Sequence, residues 1–378
     1  MHENRNLPMA FRSKVAREDC CRDAAGVRPS AASTTGSAID TARFPRRELL
    51  RRALRTAAAA AALSLLPRPV GAQAPRKIRL GFCSQVLCII PYEVARSQGF
   101  YAGEGLDVEL VYFRGGTAAM QALIGGAIDY AATSYDVSVA AFGRGADIVS
   151  FFTTGRLPFF ALAVGPKTAA AIRGLPDLAG RTVGVSAAGN ADHQLSIYLL
   201  RRAGIDPAAV RFAVLGPNLY EALRVGHVDA GMVQEPATTL IARAGGRVLV
   251  NLMDPAQADR YLGGPYAHMG VAVRRQEWDS RRQEMQALAR ALRRSLRFMR
   301  IGTPRLLVDA LPPDLIAGGD RALLEQILAR RRRVLYTDDG RIALDAVRRV
   351  AEVARQAGAL PVNVDVTRLI TYGILDSL

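Results

Sequence analysis

Gly126-Ala127-Ile128-Asp129-Tyr130 and Gly226-His227-Val228-Asp229-Ala230 carry one pattern, a glycine followed by apolar-Asp-apolar, at an offset of 100 residues. The agreement extends upstream. Gly116 aligns with Gly216 and Leu123 with Leu223, Gly105-Leu106-Asp107 parallels Gly204-Ile205-Asp206, and residues 78–82 parallel 181–185. Such self-similarity marks a module used twice. Each copy opens with a β-rich run (78–82; 182–186) that ends in a polar loop. A helix-period segment follows (91–98; 192–203) and stops at Gly99 or Gly204, a residue suited to the position after a helix end. A second strand (107–113; 210–215), a glycine loop, a second helix (117–124; 219–225) and a third strand (128–133; 229–234) complete the copy.

Strands alternating with helices of this length predict βαβ units and parallel sheets. Right-handed crossovers place all the loops that follow strands on one edge. The expected fold is therefore α/β, with two parallel-sheet lobes joined by hinge strands and facing each other across those edges. Ligands of open α/β sheets bind outside the carboxyl ends of the strands, here in the cleft between the lobes. The chain is expected to return to the first lobe near 266–273, after Gly263-Gly264-Pro265. An amphipathic helix over 277–300 follows, with Met285, Leu288, Ala289, Leu292, Leu296 and Met299 at helical spacing. Helices at 321–332 and 342–356 and an apolar tail (Leu369, Ile370, Tyr372, Ile374, Leu375) close the chain on lobe 1. The expected division is 1–74 presequence, 75–164 lobe 1, 165–265 lobe 2, and 266–378 return to lobe 1.

Composition bounds this reading. The chain has 378 residues, half of them apolar and 22% charged, which excludes disorder throughout. Four cysteines are too few for a disulfide scaffold, and no apolar run approaches the ~18 residues of a membrane span. A net charge of +16 invites a nucleic-acid or membrane partner. Two details argue against that. Only Lys14, Lys77 and Lys167 are lysines among 50 basic residues, and residues 1–74 hold 13 basic against 6 acidic residues. The run Arg330–Arg333 reads as a solvated helix face. No nucleic-acid partner is expected.

The first 74 residues read as an address. Pro45-Arg46-Arg47-Glu48-Leu49-Leu50 precedes a weakly apolar stretch over 57–66, Pro67, Pro69 and Gly71 break it, and Ala72-Gln73-Ala74 has the form of a cleavage site. That order makes a secretory signal. Arg46-Arg47 resembles a twin-arginine signal, although Leu49 stands where that pattern favours Phe, and the general secretory route is the other reading. The mature chain would begin near Pro75 and be periplasmic. Cys83 and Cys88 would remain in it, either paired or as free buried thiols.

No HExxH, GxSxG, GxxxxGK[ST], GxGxxG or CxxC pattern occurs. Of the histidines after the address, His193, His227 and His268, no two have metal-ligand spacing. No catalytic residue, metal or cofactor is expected. Binding loops are plentiful. Gly116 and Thr117 follow the second strand, with Thr117 expected to cap the helix. Ser186, Gly189 and Asn190 occupy the post-strand loop of the second copy. Small residues let a ligand reach the backbone, and helix N-termini favour an anionic or strongly polar group. Asp192 would oppose a small anion there, and His193 could compensate. Ser134 and Tyr135, then Glu235, stand at the ends of the third strands. Ser84 and Gln85 follow the first strand, Thr154 follows a β-run over 148–152, and Tyr135 and Tyr266, with Tyr92, are candidate aromatic walls. Glu235 could equally hold the hinge.

These residues resemble a known family. Gly99-Phe100-Tyr101 with Glu104 to Val108, Gly115-Gly116-Thr117 through Asp129, Leu178 to Val185, and Gly226 to Ala230 with Glu235-Pro236 look like the solute-binding proteins of ABC transporters for nitrate, sulfonate, taurine and thiamine-pyrimidine precursors. The resemblance runs from about Ile78 to Leu375. It implies a type II periplasmic-binding fold, hinge closure on a small-molecule solute, docking to an ABC permease, and passage through the export machinery, as a monomer. The cysteine-rich motif of the pyrimidine synthases in this superfamily is not visible. A pyrimidine-precursor (thiamine pathway) binding protein, or a biosynthetic enzyme on the same fold, is the alternative function.

Overall fold

The computed structural model describes residues 76–316 and 320–377. The expected address, with its arginine pair and cleavage site, lies outside the described residues. The first sheet comprises β1 (Arg76–Cys83), β2 (Leu106–Phe113), β3 (Tyr130–Ser134) and β4 (Ile148–Thr153). The second comprises β5 (Ala161–Val164), β6 (Thr182–Val185), β7 (Arg211–Val214), β8 (Ala230–Val233) and β9 (Arg247–Asn251). Strand β10 (Met269–Arg274) belongs to the first sheet. The orders are β2-β1-β3-β10-β4 and β7-β6-β8-β5-β9, the same order for corresponding elements.

Each sheet is mixed, which corrects the expectation of parallel lobes. β1 pairs in parallel with β2 and β3, as β6 does with β7 and β8, but β10 and β5 run antiparallel to both of their neighbours. These two are the strands at which the chain passes from one sheet to the other. A chain entering a sheet from the opposite lobe arrives at the cleft edge, so it runs against the strands that leave there.

The helices are α1 (Val86–Ser97), α2 (Gly116–Ile124), α3 (Tyr135–Gly143), α4 (Ala191–Arg202), α5 (Leu219–Val225), α6 (Ala237–Arg243), α7 (Pro255–Leu262), α8 (Arg282–Ile301), α9 (Pro304–Asp309), α10 (Arg321–Leu335) and α11 (Leu344–Gln356). The apolar stripe anticipated on α8 is buried throughout, from Met285 to Met299. Helix α1 begins five residues before the expected start, and Pro91 lies inside it. Proline has no N–H for the carbonyl one turn back. The Tyr336 hydroxyl donates to that freed Leu87 carbonyl at 2.6 Å instead. In the Arg run of α10, Arg330 and Arg333 are exposed, whereas Arg331 and Arg332 are half-buried and donate to the carbonyls of Met253 and Met299.

The repeated Gly-x-x-Asp has one job in both sheets. Gly126 and Gly226 adopt φ of 77° and 80° where α2 and α5 end, a conformation that glycine reaches without a Cβ clash. Three residues on, Asp129 Oδ2 accepts the Arg79 N–H at 2.7 Å, and Asp229 Oδ2 accepts the Thr182 N–H at 2.8 Å. Each aspartate N–H in turn donates to the carbonyl of the same residue, at 2.9 Å in both cases. The pattern ties the start of the third strand to the start of the first.

Candidate functional site

Loops from both sheets converge between the lobes. From the first come the end of β1 with the start of α1 (Cys83, Gln85, Cys88), the start of α2 (Gly116), the β3–α3 junction (Ser134) and the residues entering β10 (His268, Met269). From the second come Phe160, Asn190 and Ala191. Together they line a cavity of about 10 Å³. That is room for about one water, so the lobes are shut on each other here.

Glycine makes this approach possible. A Cβ on Gly116 would lie 3.0 Å from Asn190 Oδ1, and one on Gly115 would lie 3.0 Å from the Ala187 Cβ. Polar contacts cross the gap as well. Gln194 Nε2 donates to the Asp136 carbonyl at 3.2 Å, and Gln234 Nε2 lies 3.4 Å from Cys88 Sγ. Thr117 Oγ1 reaches the Ala188 carbonyl at 3.5 Å. Thr117 does not cap α2: the residue before the helix is Gly115, and Gly116 opens it, because the extended Gly115 backbone starts the turn one residue earlier.

Three N–H groups of the loop that leads into α4 are already engaged. The Ser186 N–H donates to the Asp192 carboxylate, the Gly189 N–H to His193 Nδ1 at 3.1 Å, and the Asn190 N–H to the Ala187 carbonyl at 3.3 Å. Asn190 Nδ2 donates to Ser186 Oγ at 2.8 Å. His193 also packs edge-on against Phe212, with centroids 4.7 Å apart. Its role is to brace the loop.

Several buried polar side-chain atoms have no partner, among them Gln85 Oε1, Gln194 Oε1, Gln234 Oε1, Asp136 Oδ2, Asp192 Oδ1 and both ring nitrogens of His268. Buried polar groups are otherwise nearly always hydrogen-bonded, so such a cluster calls for an explanation. Asp136 Oδ1 accepts from the Tyr266 hydroxyl, and Oδ2 lies 4.0 Å from His268 Nδ1. Burial pushes the His268 imidazole down to about 3, so it is neutral and this contact is not an ion pair. Burial pushes Asp136 up to about 7, opposed by the Tyr266 hydroxyl and raised further by the charge of Asp192. Asp192 is likewise pushed up to about 6 by burial, against the hydrogen bond from Ser186. No Lys or Arg is among the charges acting on either carboxylate.

Cys83 and Cys88 are free thiols. A hydrogen bond from Cys88 holds Cys83 below the usual thiol range, whereas burial raises Cys88 well above it. His268 bonds to neither sulfur. Among the described residues no cluster of three His, Cys, Asp or Glu side chains could hold a metal ion.

The remaining anticipated residues fall into three places. Ser84 lines a neighbouring groove of about 370 Å³ with Gln85, Tyr220, Gln234 and Glu235. There the Glu235 carboxylate accepts the Thr239 N–H at 3.0 Å and so holds the start of α6. Ser134 caps α3 through the Val137 N–H at 3.3 Å. Tyr135, Tyr92 and Tyr266 are buried in the lobes and do not form aromatic walls. The Tyr135 ring packs so closely on Gly270 that a Cβ there would approach it to 2.5 Å. Thr154 is buried, with its hydroxyl 3.2 Å from that of Tyr92. Sequence reasoning missed Gln194 and His268; it set Asp136 and Gln234 on the cleft edge at the ends of the third strands without singling them out as binding residues. His268 directly precedes the strand that re-enters the first sheet, and that position was the available signal.

Residues 88–302 match the family model described as NMT1/THI5 like. Among curated protein sequences, none matches the chain. A solved protein from Bordetella bronchiseptica RB50 superposes with a TM-score of 0.73 at 22% identity, covering 81% of this chain and 97% of that one. The alkanesulfonate-binding protein SsuA from Xanthomonas axonopodis pv. citri gives 0.62 at 20% identity, with 79% and 99% covered. The periplasmic nitrate-binding protein NrtA from Synechocystis PCC 6803 gives 0.63 at 14%, with 80% and 87% covered. The two-lobed α/β periplasmic-binding fold is common to them and this chain.

Proposed function

Because the chain belongs to the NMT1/THI5-like family, we propose that it is the exported solute-binding component of an ABC importer, which captures one small polar solute between its lobes and delivers it to a membrane permease. The observation that carries this reading is the set of unpartnered buried polar atoms at the lobe junction, on Gln85, Asp136 and His268 from one lobe and Gln194 and Gln234 from the other. A solute that satisfies both sets favours the closed state, since only that state brings them together. The cleft then acts by binding, without turnover. The sulfonate- and nitrate-binding proteins of like fold support a small solute and a permease partner. The arginine pair at 46–47 and Ala72-Gln73-Ala74 support export before the chain acts, as a monomer in the periplasm. A thermal-shift screen against nitrate, sulfonates, aromatic carboxylates and pyrimidines tests the proposal. At least one small solute should stabilise the protein at 1:1 stoichiometry and be recovered unchanged. Conversion of a solute into product would contradict it.

A further inference from the structure

The charges at the lobe junction narrow the solute. The cavity is lined by amide, hydroxyl, thiol and imidazole groups, and no Lys or Arg lines it. Behind its walls stand two buried carboxyls, Asp136 on the first lobe and Asp192 on the second, and the charge of Asp192 raises the pKa of Asp136 and of both neighbouring thiols. Several donors of the second-lobe loop are spent. Ser186 N–H serves Asp192, Gly189 N–H serves His193, and Asn190 Nδ2 serves Ser186. Among the buried side-chain atoms here, those left unpartnered are mostly acceptors: Asp136 Oδ2, Asp192 Oδ1 and the side-chain oxygens of Gln85, Gln194 and Gln234, with the neutral His268 ring able to accept through one nitrogen and donate through the other. An anion placed here would add negative charge beside two buried carboxyls, in a site of low dielectric without a cation to balance it. A cation or an N–H donor would instead satisfy the orphaned acceptors.

Resting on the binding reading above, we infer that the cleft takes a small organic solute bearing amine or amidine N–H groups, which Asp136 and the glutamine oxygens receive, and that nitrate and sulfonates are not its solutes. Asp136 faces the Tyr266 hydroxyl, the His268 ring, Gln194 and the charge of Asp192, and Asp192 faces Ser186, Asn190 and the two thiols. A positive group arriving among them lowers the carboxyl pKa values and drives protons off.

The test is a binding screen of the whole protein against two pools. One holds small amines, amidines and guanidines; the other holds nitrate, sulfonates, phosphate and carboxylates. Hits are followed by calorimetry at pH 7 in buffers of different ionisation enthalpy. Hits should fall in the first pool, bind 1:1 and release protons. Asp136→Asn should weaken them at least tenfold. Asp192→Asn provides a second variant should the first fold poorly, and proton release by the unaltered protein needs no variant. Hits confined to the anion pool, or proton uptake on binding, would overturn the inference while leaving a solute-binding protein. An absence of hits in both pools would overturn the binding reading with it.

Discussion

Gln194 Nε2 on the second lobe donates to the Asp136 carbonyl on the first at 3.2 Å, and the same amide group holds the Gly189 carbonyl of its own lobe at 2.9 Å. One side chain thus links the closed junction to the loop that shapes it. Replacing it (Gln194→Ala) removes about 0.5–1.5 kcal/mol from the closed state alone. Solute affinity should fall about 3- to 10-fold by that conversion, measured by titration. Unchanged affinity would show that the contact does not support closure.

Gly116 sets how near the lobes can come. A valine there must displace Asn190 Oδ1, 3.0 Å from the new Cβ, and crowd Val137 Cγ2 at 3.4 Å. Gly116→Val should keep the folded state but favour the open form. The expected signs are a larger radius of gyration in solution scattering and affinity reduced at least tenfold. A closed, fully binding variant would contradict this.

The buried carboxylates predict the direction of the pH dependence. Asp136 has an ordinary value near 3.8 in the unfolded chain and about 7 in the fold. A carboxyl raised in this way gives stability that is fully present below pH 3.8 and lost as the pH climbs to about 7. Without solute, Asp136 alone should make the protein less stable at pH 8 than at pH 4 by on the order of 2–4 kcal/mol. Asp192, at about 6, adds in the same sense. Melting temperatures of the protein and of Asp136→Asn should agree at low pH, where Asp136 is uncharged like Asn, and diverge as the pH rises, where only the former loses stability. Parallel curves would contradict the assignment.

Tyr336 and Pro91 form a testable pair. Tyr336→Phe leaves the buried Leu87 carbonyl without the donor that Pro91 cannot provide. The cost should be about 1–3 kcal/mol in denaturant unfolding. In a Pro91→Ala background a helical N–H is restored, so the same change should cost less. Equal costs in both backgrounds would exclude this compensation.

The repeated aspartates should differ in weight. Asp229→Ala removes the bond to the Thr182 N–H and leaves Arg181, 3.9 Å away and partly exposed, in solvent. Asp129→Ala removes the equivalent bond and also a 2.7 Å ion pair with the less exposed Arg281. The Asp129 variant should lose more stability, by about 1 kcal/mol. The reverse order would contradict the account.

The spacing of the repeat made most of the fold legible. Strands and helices within each copy fall within a few residues of their expected places, because Gly-x-x-Asp punctuates both. The antiparallel β5 and β10 were hidden because a short apolar run such as Ala161–Val164 has no period that states its direction. The start of α1 was hidden because Leu87 to Ile90 read as a strand and Pro91 as a first helical residue. At the site, Gln85, Gly116, Ser134 and Asn190 were placed by the loop logic alone. Asp136 stood on the expected cleft edge but Tyr135 was chosen beside it, since which of two successive residues turns into the lobe depends on Gly270 in a strand 134 residues away. His268 gave no signal beyond its place just before β10, because the rings of Phe159 and Phe160 and the Asp136 carboxyl that surround it come from other parts of the chain.

The central claim is that the two lobes close on one small solute and release it unchanged. Isothermal titration of the solute identified by screening, repeated with Gly116→Val and followed by recovery of the solute, tests it most directly. The account predicts 1:1 binding to the protein, binding weakened at least tenfold by Gly116→Val, and chemically intact solute. Binding indifferent to Gly116→Val, or recovery of a converted product, would contradict it.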